Sequence, residues 1–348
     1  MIQYRNNFDL IRLFAALQVA FLHACEHLGA PDWLVTALGY LPGVPIFFFI
    51  SGYLIYTSYQ SRTSTLNFAW RRALRIFPAL WVCFVFTVSV IILTGYLPAG
   101  AWLSPEMLIW AGAQLSIAQF FNPEILRGFG VGVINGSLWT ISVELQFYML
   151  TPVLALLSRR RWMLPVLIVF FGVVNVAADH VGNATTIAKL FQVSFLPWLY
   201  MFVFGAWLAS EQEVLRRITA LPLWWVVAFF ILVELLSWSL SLPAWGNSIN
   251  PAIYLALAIL TLKLAYTKND LSIRILHGND LSYGIYIYHM VVINIFIYFG
   301  LQSTALVPLA ILATIALATI SWFFVERPAL SLKRLLANNT DVMVSKVA

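Results

Sequence analysis

Long apolar stretches alternate with short polar segments along nearly the whole chain. Ten of these stretches have about the 20 residues that a helix needs to cross a hydrocarbon core of roughly 30 Å. The predicted spans are 8–29, 41–59, 72–96, 137–158, 162–178, 189–209, 222–241, 249–267, 281–300 and 304–325. The pattern predicts an all-α polytopic membrane protein with about ten transmembrane helices in a single domain, residues 1–333, followed by a short cytoplasmic tail, 334–348.

The basic residues between the spans predict the orientation in the membrane. They gather in every second connection, which the positive-inside rule places in the cytoplasm. The basic positions are Arg5, Arg62, Arg71, Arg72, Arg75, Arg159, Arg160, Arg161, Arg216, Arg217, Lys268, Arg274, Arg327, Lys333 and Arg334. Both termini are then cytoplasmic. A further apolar segment, 103–121, does not fit the alternation and contains Pro105 and Glu106, so we predict an interfacial or re-entrant piece on the outer side.

Composition agrees with this class and excludes others. Of 348 residues, 61% are hydrophobic and 10% are charged. The net charge of +6 reflects basic cytoplasmic loops, so it does not indicate a nucleic-acid partner. Cys25 and Cys83 both lie in apolar runs, and neither a disulfide framework nor a cysteine-rich metal site is expected.

The first span carries two side chains that are unusual inside a membrane helix, Arg12 and His23. At a rise of about 1.5 Å and a turn of about 100° per residue, they share one face and lie roughly 16 Å apart. The same face carries Ala16, Val19 and Ala20, whose small side chains leave room for another helix or a ligand. Because charge inside a bilayer is costly, the face predicts a functional site, with a structural salt bridge as the alternative.

A second candidate group lies in the span that begins SLWTISVELQFYMLT. This span is predicted to run inward and to place Glu144 at the depth of His23, and Tyr148 shares the face of Glu144. A carboxylate beside an imidazole fixes its tautomer and raises its basicity, as a general base requires. A His–Glu pair that only joins two helices is the alternative interpretation.

Two further stretches contribute candidate residues. RRALRIFP opens the third span from the cytoplasm and places Arg72 and Arg75 near the depth of Arg12. Arginine matches the geometry of phosphate oxygens, so this cluster could hold a nucleotide or coenzyme A, although attraction to anionic lipid is the alternative. In SYGIYIYHM, Tyr286 and His289 share a face, and His289 is a candidate for proton transfer or substrate contact, or is a buried structural histidine.

The stretch PGVPIFFFISGYLI, residues 42–55, combines two prolines and two glycines with a very hydrophobic run. Proline at the start indicates a bent entry into the helix. The glycine indicates a close backbone approach near Ser51 and Gly52, which helix packing alone explains.

Two alternatives to a transfer reaction arise from the same region. HACEH, His23 to His27, matches H-x-x-E-H, in which two imidazoles of one helix can bind zinc with a glutamate between them. Three fixed letters are weak evidence, no third ligand follows with motif spacing, and Glu26 and His27 fall at the outer end. Intramembrane charges also line the pathways of transporters and flippases. A zinc hydrolase and a transporter are therefore alternative hypotheses.

Together the motifs resemble those of the membrane acyltransferase 3 family, bacterial inner-membrane O-acyltransferases that modify polysaccharides and other cell-surface acceptors. The resemblance runs along nearly the whole chain. It rests on Arg-x10-His, met by Arg12 and His23, and on GVPIFFFISGYLI, RRALRIFP, SLWTISVELQFY, SYGIYIYH and FVERP in the family's order. One departure is Pro45, which stands where many members have aspartate.

The resemblance implies an O-acyltransferase, most often an O-acetyltransferase, in the bacterial inner membrane. Acyl-coenzyme A, expected to be acetyl-coenzyme A, would bind near Arg12, Arg72 and Arg75, and a hydroxyl of a saccharide or cell-surface glycan would be acylated on the outer side. His23 would act as base or acyl carrier, oriented by Glu144, with Arg12 also in the catalytic set. The substrate-contacting residues would be Trp139, Tyr148, Tyr286 and His289. No metal is expected.

Overall fold

The computed structural model describes residues 6–61, 64–181 and 185–332. The predicted tail 334–348 and the basic positions Arg5, Arg62, Lys333 and Arg334 lie outside the described residues. Within the described ranges the chain is helical and contains no strand. The all-α prediction is therefore confirmed for this part of the protein.

The described residues form fifteen α-helices. They are α1 (Phe8–His27), α2 (Asp32–Gly39), α3 (Gly43–Gln60), α4 (Thr65–Leu93), α5 (Pro105–Leu115), α6 (Trp139–Leu157), α7 (Met163–Val181), α8 (Thr186–Gln192), α9 (Leu199–Ser210), α10 (Gln212–Ala220), α11 (Leu223–Ser239), α12 (Pro251–Tyr266), α13 (Leu271–Leu276), α14 (Ser282–Tyr298) and α15 (Val307–Ser321). Short 3₁₀ turns occupy Ala99–Leu103, Glu124–Leu126, Gly136–Leu138, Gly246–Ser248 and Thr304–Leu306, and a π-helical turn, Trp322–Glu326, follows α15.

Most of the predicted spans contain a helix, but short helices such as α10 and α13 lie outside them. Among the described residues, five helical stretches are long and apolar enough to cross a membrane, namely Phe8–His27, Asp32–Gln60, Thr65–Leu93, Gly136–Leu157 and Thr304–Leu332. Helices α10 and α11 meet at a bend of 98°, and α9, α12 and α14 are shorter apolar helices, as is Met163–Ala178 within α7. The protein is thus a multi-pass membrane protein by length and composition. The count of ten crossings and the cytoplasmic termini stay predictions.

The boundaries of one predicted span need correction. The stretch 189–209 is not one helix, because α8 ends at Gln192 and α9 begins at Leu199. Pro197 lies in the break, and a proline disfavours helical geometry in the residue before it. The carbonyl of Pro197 accepts a hydrogen bond at 3.0 Å from the buried amide of Asn175 in α7, which ties the break to the neighbouring helix.

The segment 103–121 forms a short helix against α4. Pro105 begins α5 rather than interrupting it, because the first helical position needs no backbone N–H donor. Trp110 of α5 is buried against Phe84 of α4, with ring centroids 5.2 Å apart. An interfacial or re-entrant location of this segment stays a prediction.

Helices α3 and α9 come into backbone contact at two glycines. A Cβ atom at Gly52 would lie 2.0 Å from the Phe202 carbonyl oxygen, and one at Gly205 would lie 2.3 Å from the Phe49 carbonyl oxygen. Only glycine permits this distance, so the close approach predicted near Ser51 and Gly52 is confirmed. The contact fixes the rotation of α3 and with it the direction of the Ser51 side chain.

Helices α1 and α14 run parallel and bury their small residues together. Ala16 and Ala20 of α1 cluster with Ile285 of α14 and Ala318 of α15. The room left by the small residues of α1 is therefore taken partly by other helices. Parallel directions are what the first and ninth spans of the predicted topology require, since both would run outward.

Candidate active site

Arg12 does not stand alone at the start of α1 but shares a carboxylate with Arg75 of α4. The Arg12 Nη1 atom lies 3.2 Å from Asp280 Oδ2, and Arg75 Nη2 donates to the same oxygen. The backbone N–H of Ser282 donates to the other carboxylate oxygen at 3.1 Å, and its hydroxyl donates there too. Asp280 therefore joins α1, α4 and the start of α14.

The electrostatics of this cluster keep Asp280 ionised. Burial alone would raise the pKa of Asp280, but the attraction of Arg12 and Arg75 outweighs burial and lowers it below its usual range. Because the pKa is lower in the folded than in the unfolded protein, the stabilisation is present at neutral pH and is lost as the pH falls. Sequence reasoning missed Asp280, although an acidic residue two positions before SYGIYIYH was a signal that could have found it.

Arg72 lies apart from the Arg12–Asp280–Arg75 cluster. Its Nη2 donates to the Ser58 hydroxyl at 3.1 Å, and its guanidinium carbon lies 5.8 Å from the centroid of the Tyr148 ring. The three arginines predicted to form one group are therefore divided between two sets of partners. Arg72 faces α6, whereas Arg12 and Arg75 face α14.

Glu144 of α6 is held by two hydroxyl groups. Ser51 of α3 donates to its Oε1 at 3.0 Å, and Tyr148, one turn further along α6, donates to the same oxygen. Because Tyr148 is buried, its hydroxyl is directed at Glu144 and not at solvent. The predicted location of Tyr148 on the face of Glu144 is confirmed.

His23 and His289 form a pair of imidazoles near the other end of α1. His23 Nδ1 lies 2.9 Å from His289 Nε2, and the rings stack with centroids 5.2 Å apart. His289 is fully buried, and its Nδ1 lies 2.8 Å from the backbone oxygen of Tyr286. His23 is only half-buried, so it is the member of the pair that a substrate can reach.

These contacts determine which nitrogen of each neutral ring carries a proton. A carbonyl oxygen can only accept, so His289 Nδ1 carries the proton that is donated to Tyr286. His289 Nε2 is then the acceptor, and His23 Nδ1 must be the donor. The remaining nitrogen of His23, Nε2, consequently holds a free lone pair, which is the state required of a general base.

The predicted pairing of His23 with Glu144 needs correction. Among the described residues, Glu144 is bonded to Ser51 and Tyr148, and no carboxylate oxygen lies within 4.0 Å of His23. Glu144 instead lines a cavity together with Arg12 and Ser282. The sequence predicted neither this location of Glu144 nor the rotation of α1 that turns His23 towards α14.

Two cavities lie along the face of α1 that carries Arg12 and His23. The Arg12 cavity, of about 40 Å³, is lined by Arg12, Val44, Phe47, Phe48, Ser51, Thr140, Ile141, Glu144, Ser282, Tyr283 and Tyr286. The His23 cavity, of about 360 Å³, is lined on its helical side by Gln18, His23, His27, Val44, Tyr286 and Met290. Val44 and Tyr286 line both cavities, so a single wall separates them.

Tyr286 is the polar part of that wall. Its hydroxyl group lies 2.7 Å from the Thr140 hydroxyl, and its backbone oxygen accepts the His289 hydrogen bond. The structure therefore brings together His23, His289, Tyr286 and, across the wall, Arg12. Trp139 lines the His23 cavity, whereas Tyr148 and His289 line neither of the two cavities.

The HACEH stretch also faces the His23 cavity. His23, Glu26 and His27 all line it, and the rings of His23 and His27 have centroids 6.1 Å apart. In the part of the chain that the structure describes, no three His, Cys, Asp or Glu side chains are grouped so that they could hold a metal ion. The zinc hypothesis thus receives no support from this arrangement.

A helical membrane protein in which one helix carries an arginine and a histidine, each beside a cavity, fits a membrane acyltransferase. A family profile described as an acyltransferase domain, that of the acyltransferase 3 family, matches residues 5–326. The chain therefore belongs to this family, as its motifs predicted, and the protein is an acyltransferase.

Several relatives match along most of their length. Nodulation protein 10 of Rhizobium leguminosarum bv. viciae is 34% identical, over 95% of this chain and 94% of the relative. An O-acetyl transferase of Shigella phage Sf6 is 28% identical, over 92% and 95%. The exopolysaccharide production protein ExoZ of Rhizobium meliloti is 26% identical, over 88% and 93%. No solved structure matches the chain.

Proposed function

We propose that this acyltransferase is an O-acetyltransferase of the bacterial inner membrane. It moves an acetyl group from acetyl-coenzyme A, bound from the cytoplasm, to a hydroxyl of a saccharide or cell-surface glycan. His23 is the general base, and the acceptor enters the His23 cavity. The observation that carries the proposal is the contact between His23 Nδ1 and His289 Nε2, because it leaves His23 Nε2 free to accept a proton.

The assignment of the donor rests on the arginines. Arg12 lines the cavity next to the His23 cavity, and its guanidinium is held by Asp280, which also binds Arg75. Arginine binds phosphate and carbonyl oxygens through several directed donors. Arg12 would contact the donor, while Arg72 and Arg75 would set the positive potential at the cytoplasmic entrance.

The chemical step balances with these groups alone. His23 Nε2 takes the proton of the acceptor hydroxyl as the oxygen attacks the thioester carbonyl. The C–O bond forms, the C–S bond breaks, and the coenzyme A thiolate takes the proton from the His23 imidazolium. In the relay variant, His23 Nε2 itself carries the acetyl group between the two substrates. Both variants need His23 in the tautomer that His289 imposes.

The names of the relatives support the acceptor and the acyl group. One is an O-acetyl transferase and another an exopolysaccharide production protein. Each matches this chain along nearly its whole length, so the same architecture serves both. A saccharide acceptor and an acetyl group are therefore the simplest assignment for this protein.

The proposal is tested by mass spectrometry of surface glycans from cells that lack the gene and from cells complemented with wild type or with His23→Ala. Wild type should restore a mass increase of one acetyl group per site, and His23→Ala should not. His277→Asn is the matched control, because His277 is exposed and its left-handed backbone tolerates asparagine. Normal acetylation by His23→Ala would contradict the proposal, as would transport of a glycan without consumption of acetyl-coenzyme A.

A further inference from the structure

A second cavity adjoins the His23 cavity on the side of α4 and α5. This Trp110 cavity has a volume of about 230 Å³. Its lining comes from α4, α5, the loop that follows α5, and the start of α6. Since a water molecule occupies about 30 Å³ of liquid, the cavity has room for one sugar ring but not for an oligosaccharide.

The two cavities share part of their lining. Val133, Gly136 and Trp139 belong to both the Trp110 cavity and the His23 cavity. Trp139 is braced from behind by Trp198, with ring centroids 5.2 Å apart. A ligand in the Trp110 cavity would therefore lie directly beside the space in front of His23.

Three amide side chains build the walls of the Trp110 cavity and are fully engaged. Gln119 accepts from the Ser142 hydroxyl and donates to the Ser116 backbone oxygen. Asn122 accepts from Ile134 N and donates to the Gly132 backbone oxygen, and Asn135 accepts from Ser137 and donates to Ile287. These bonds make the loop walls rigid before any ligand arrives, which lowers the entropic cost of binding.

Two other polar groups of the lining have unused hydrogen-bonding atoms. Trp110 is 2% exposed and Gln114 is 7% exposed. Gln114 donates its amide N–H groups to backbone oxygens of the loop, but its Oε1 has no partner among the described residues. The indole N–H of Trp110 has none there either. Neither atom is among the fully buried polar atoms without a partner, so both border the open space of the cavity. An unused donor and an unused acceptor that open into one cavity fit a polar ligand.

The charge of the lining narrows the class of ligand. None of the described residues that line the Trp110 cavity is charged. A phosphorylated group would lack a counter-charge there, in contrast to the Arg12 cavity. An uncharged ligand with both donors and acceptors, and with apolar faces that suit Trp and Phe rings, fits the lining.

From these observations we propose that the Trp110 cavity is an acceptor subsite that binds one neutral pyranose ring, with its hydroxyls on Trp110 Nε1 and Gln114 Oε1. The role of this subsite rests on the proposed function: it would hold one sugar ring of the glycan while a hydroxyl of the neighbouring ring reaches His23. Binding of the sugar itself does not depend on that function. It also assigns a role to the segment 103–121, because α5 supplies both of these side chains.

Binding is tested with the purified protein in nanodiscs by saturation-transfer NMR. The probes are the methyl pyranosides of glucose, galactose, mannose, rhamnose and N-acetylglucosamine. At least one should bind wild type, and Trp110→Phe should weaken it about fivefold, the effect of one hydrogen bond. Trp81→Phe is the matched control, because the Trp81 indole donates to Leu115 O away from the cavity. Binding by none of the probes, or equal weakening in both variants, overturns the subsite.

A second variant tests the passage between the two cavities. A Cβ atom at Gly136 would lie 3.8 Å from Val133 Cγ1, an ordinary contact, so Gly136→Ala is tolerated. Gly136→Leu should retain binding of the glycoside but lose acetyl transfer to it. Gly112→Leu is the control and should retain both, because Gly112 lies on α5, lines neither cavity and has open space beside it. Transfer by Gly136→Leu at the rate of Gly112→Leu overturns the passage.

Turnover of acetyl-coenzyme A in the same preparations separates the two proposals. Loss of glycoside binding with His23-dependent turnover intact would overturn the subsite alone. Glycoside binding without any turnover that depends on His23 would overturn the proposed function alone.

Discussion

The two ends of the α1 face differ in charge and in free volume. Around the Arg12 cavity, both oxygens of Asp280 and the Oε1 atom of Glu144 accept hydrogen bonds, and the free space is about 40 Å³. Around His23 the lining contains two imidazole rings and one carboxylate, that of Glu26, and the cavity measures about 360 Å³. One end is therefore electrostatically locked, whereas the other has the space for a bulky ligand.

This difference fits a division of labour along one helix. Charge that is paired and rigid can hold an anionic donor without reorganising, because its dipoles already point at the site. A spacious cavity with only one carboxylate in its described lining suits an uncharged acceptor that must enter and leave. The wall formed by Val44 and Tyr286 is then the place where the acyl group passes from one environment to the other.

The largest effect should come from disrupting the Arg12–Asp280–Arg75 cluster, and it should be an effect on stability. Arg75→Ala leaves the Asp280 carboxylate buried with one cationic partner fewer, and we expect the free energy of unfolding to fall by about 3–5 kcal/mol. The measurement is thermal unfolding of the purified protein in detergent, together with its yield from membranes. The free energy of unfolding should change more than the free-energy barrier of the transfer reaction, because Arg75 joins α4 to the start of α14.

Two variants control this prediction. Arg127→Ala removes an arginine from an exposed pair with Glu124 and should cost at most about 1 kcal/mol. Arg75→Lys keeps the positive charge and should recover part of the stability. Equal losses for Arg75→Ala and Arg127→Ala would mean that the Asp280 cluster is not a structural lock.

A smaller effect is expected at the His23 end, in catalysis rather than in stability. His289→Leu removes the acceptor that holds the proton on His23 Nδ1, so the His23 ring can adopt the unproductive tautomer. By comparison with residues that orient catalytic groups, kcat should fall about tenfold to a hundredfold. Steady-state kinetics should give an unchanged KM for acetyl-coenzyme A, since His289 lines neither cavity.

His289→Gln is the conservative variant that distinguishes orientation from packing. Its side-chain carbonyl can still accept from His23 Nδ1, so part of the lost kcat should return. An equal loss in His289→Leu and His289→Gln would indicate that His289 acts by filling space.

The sequence predicted distances along helices better than contacts between them. The shared face of Arg12 and His23, the approach at Gly52 and nearly all helical segments follow from periodicity and residue size, and the structure confirms them. The partner of His23 was predicted wrongly as Glu144. Spacing along one helix follows from counting residues, but the neighbour of a side chain depends on how helices far apart in the chain shift and rotate against one another.

Asp280 illustrates the same limit from the other direction. Asp280 lies in a loop, where acidic residues are common. Its ion pairs with Arg12 of α1 and Arg75 of α4 are evident only in the folded structure. The break at Pro197 was missed because the residues on both sides are apolar, and hydropathy alone cannot tell a continuous helix from a turn buried among helices.

The smallest effect should come from Tyr148, which acts on the Arg12 cavity through Glu144. Tyr148→Phe removes one of two donors to the carboxylate and should change kcat/KM about fivefold, as expected for a single hydrogen bond of about 1 kcal/mol. Ser51→Ala removes the other donor and should have a similar effect. Because both bonds end on the same oxygen, the double variant should lose more than the product of the two single losses, since Glu144 would then be free to turn. Wild-type kcat/KM in the double variant would show that the orientation of Glu144 does not matter for transfer, and the Arg12 cavity would then depend on its arginines alone.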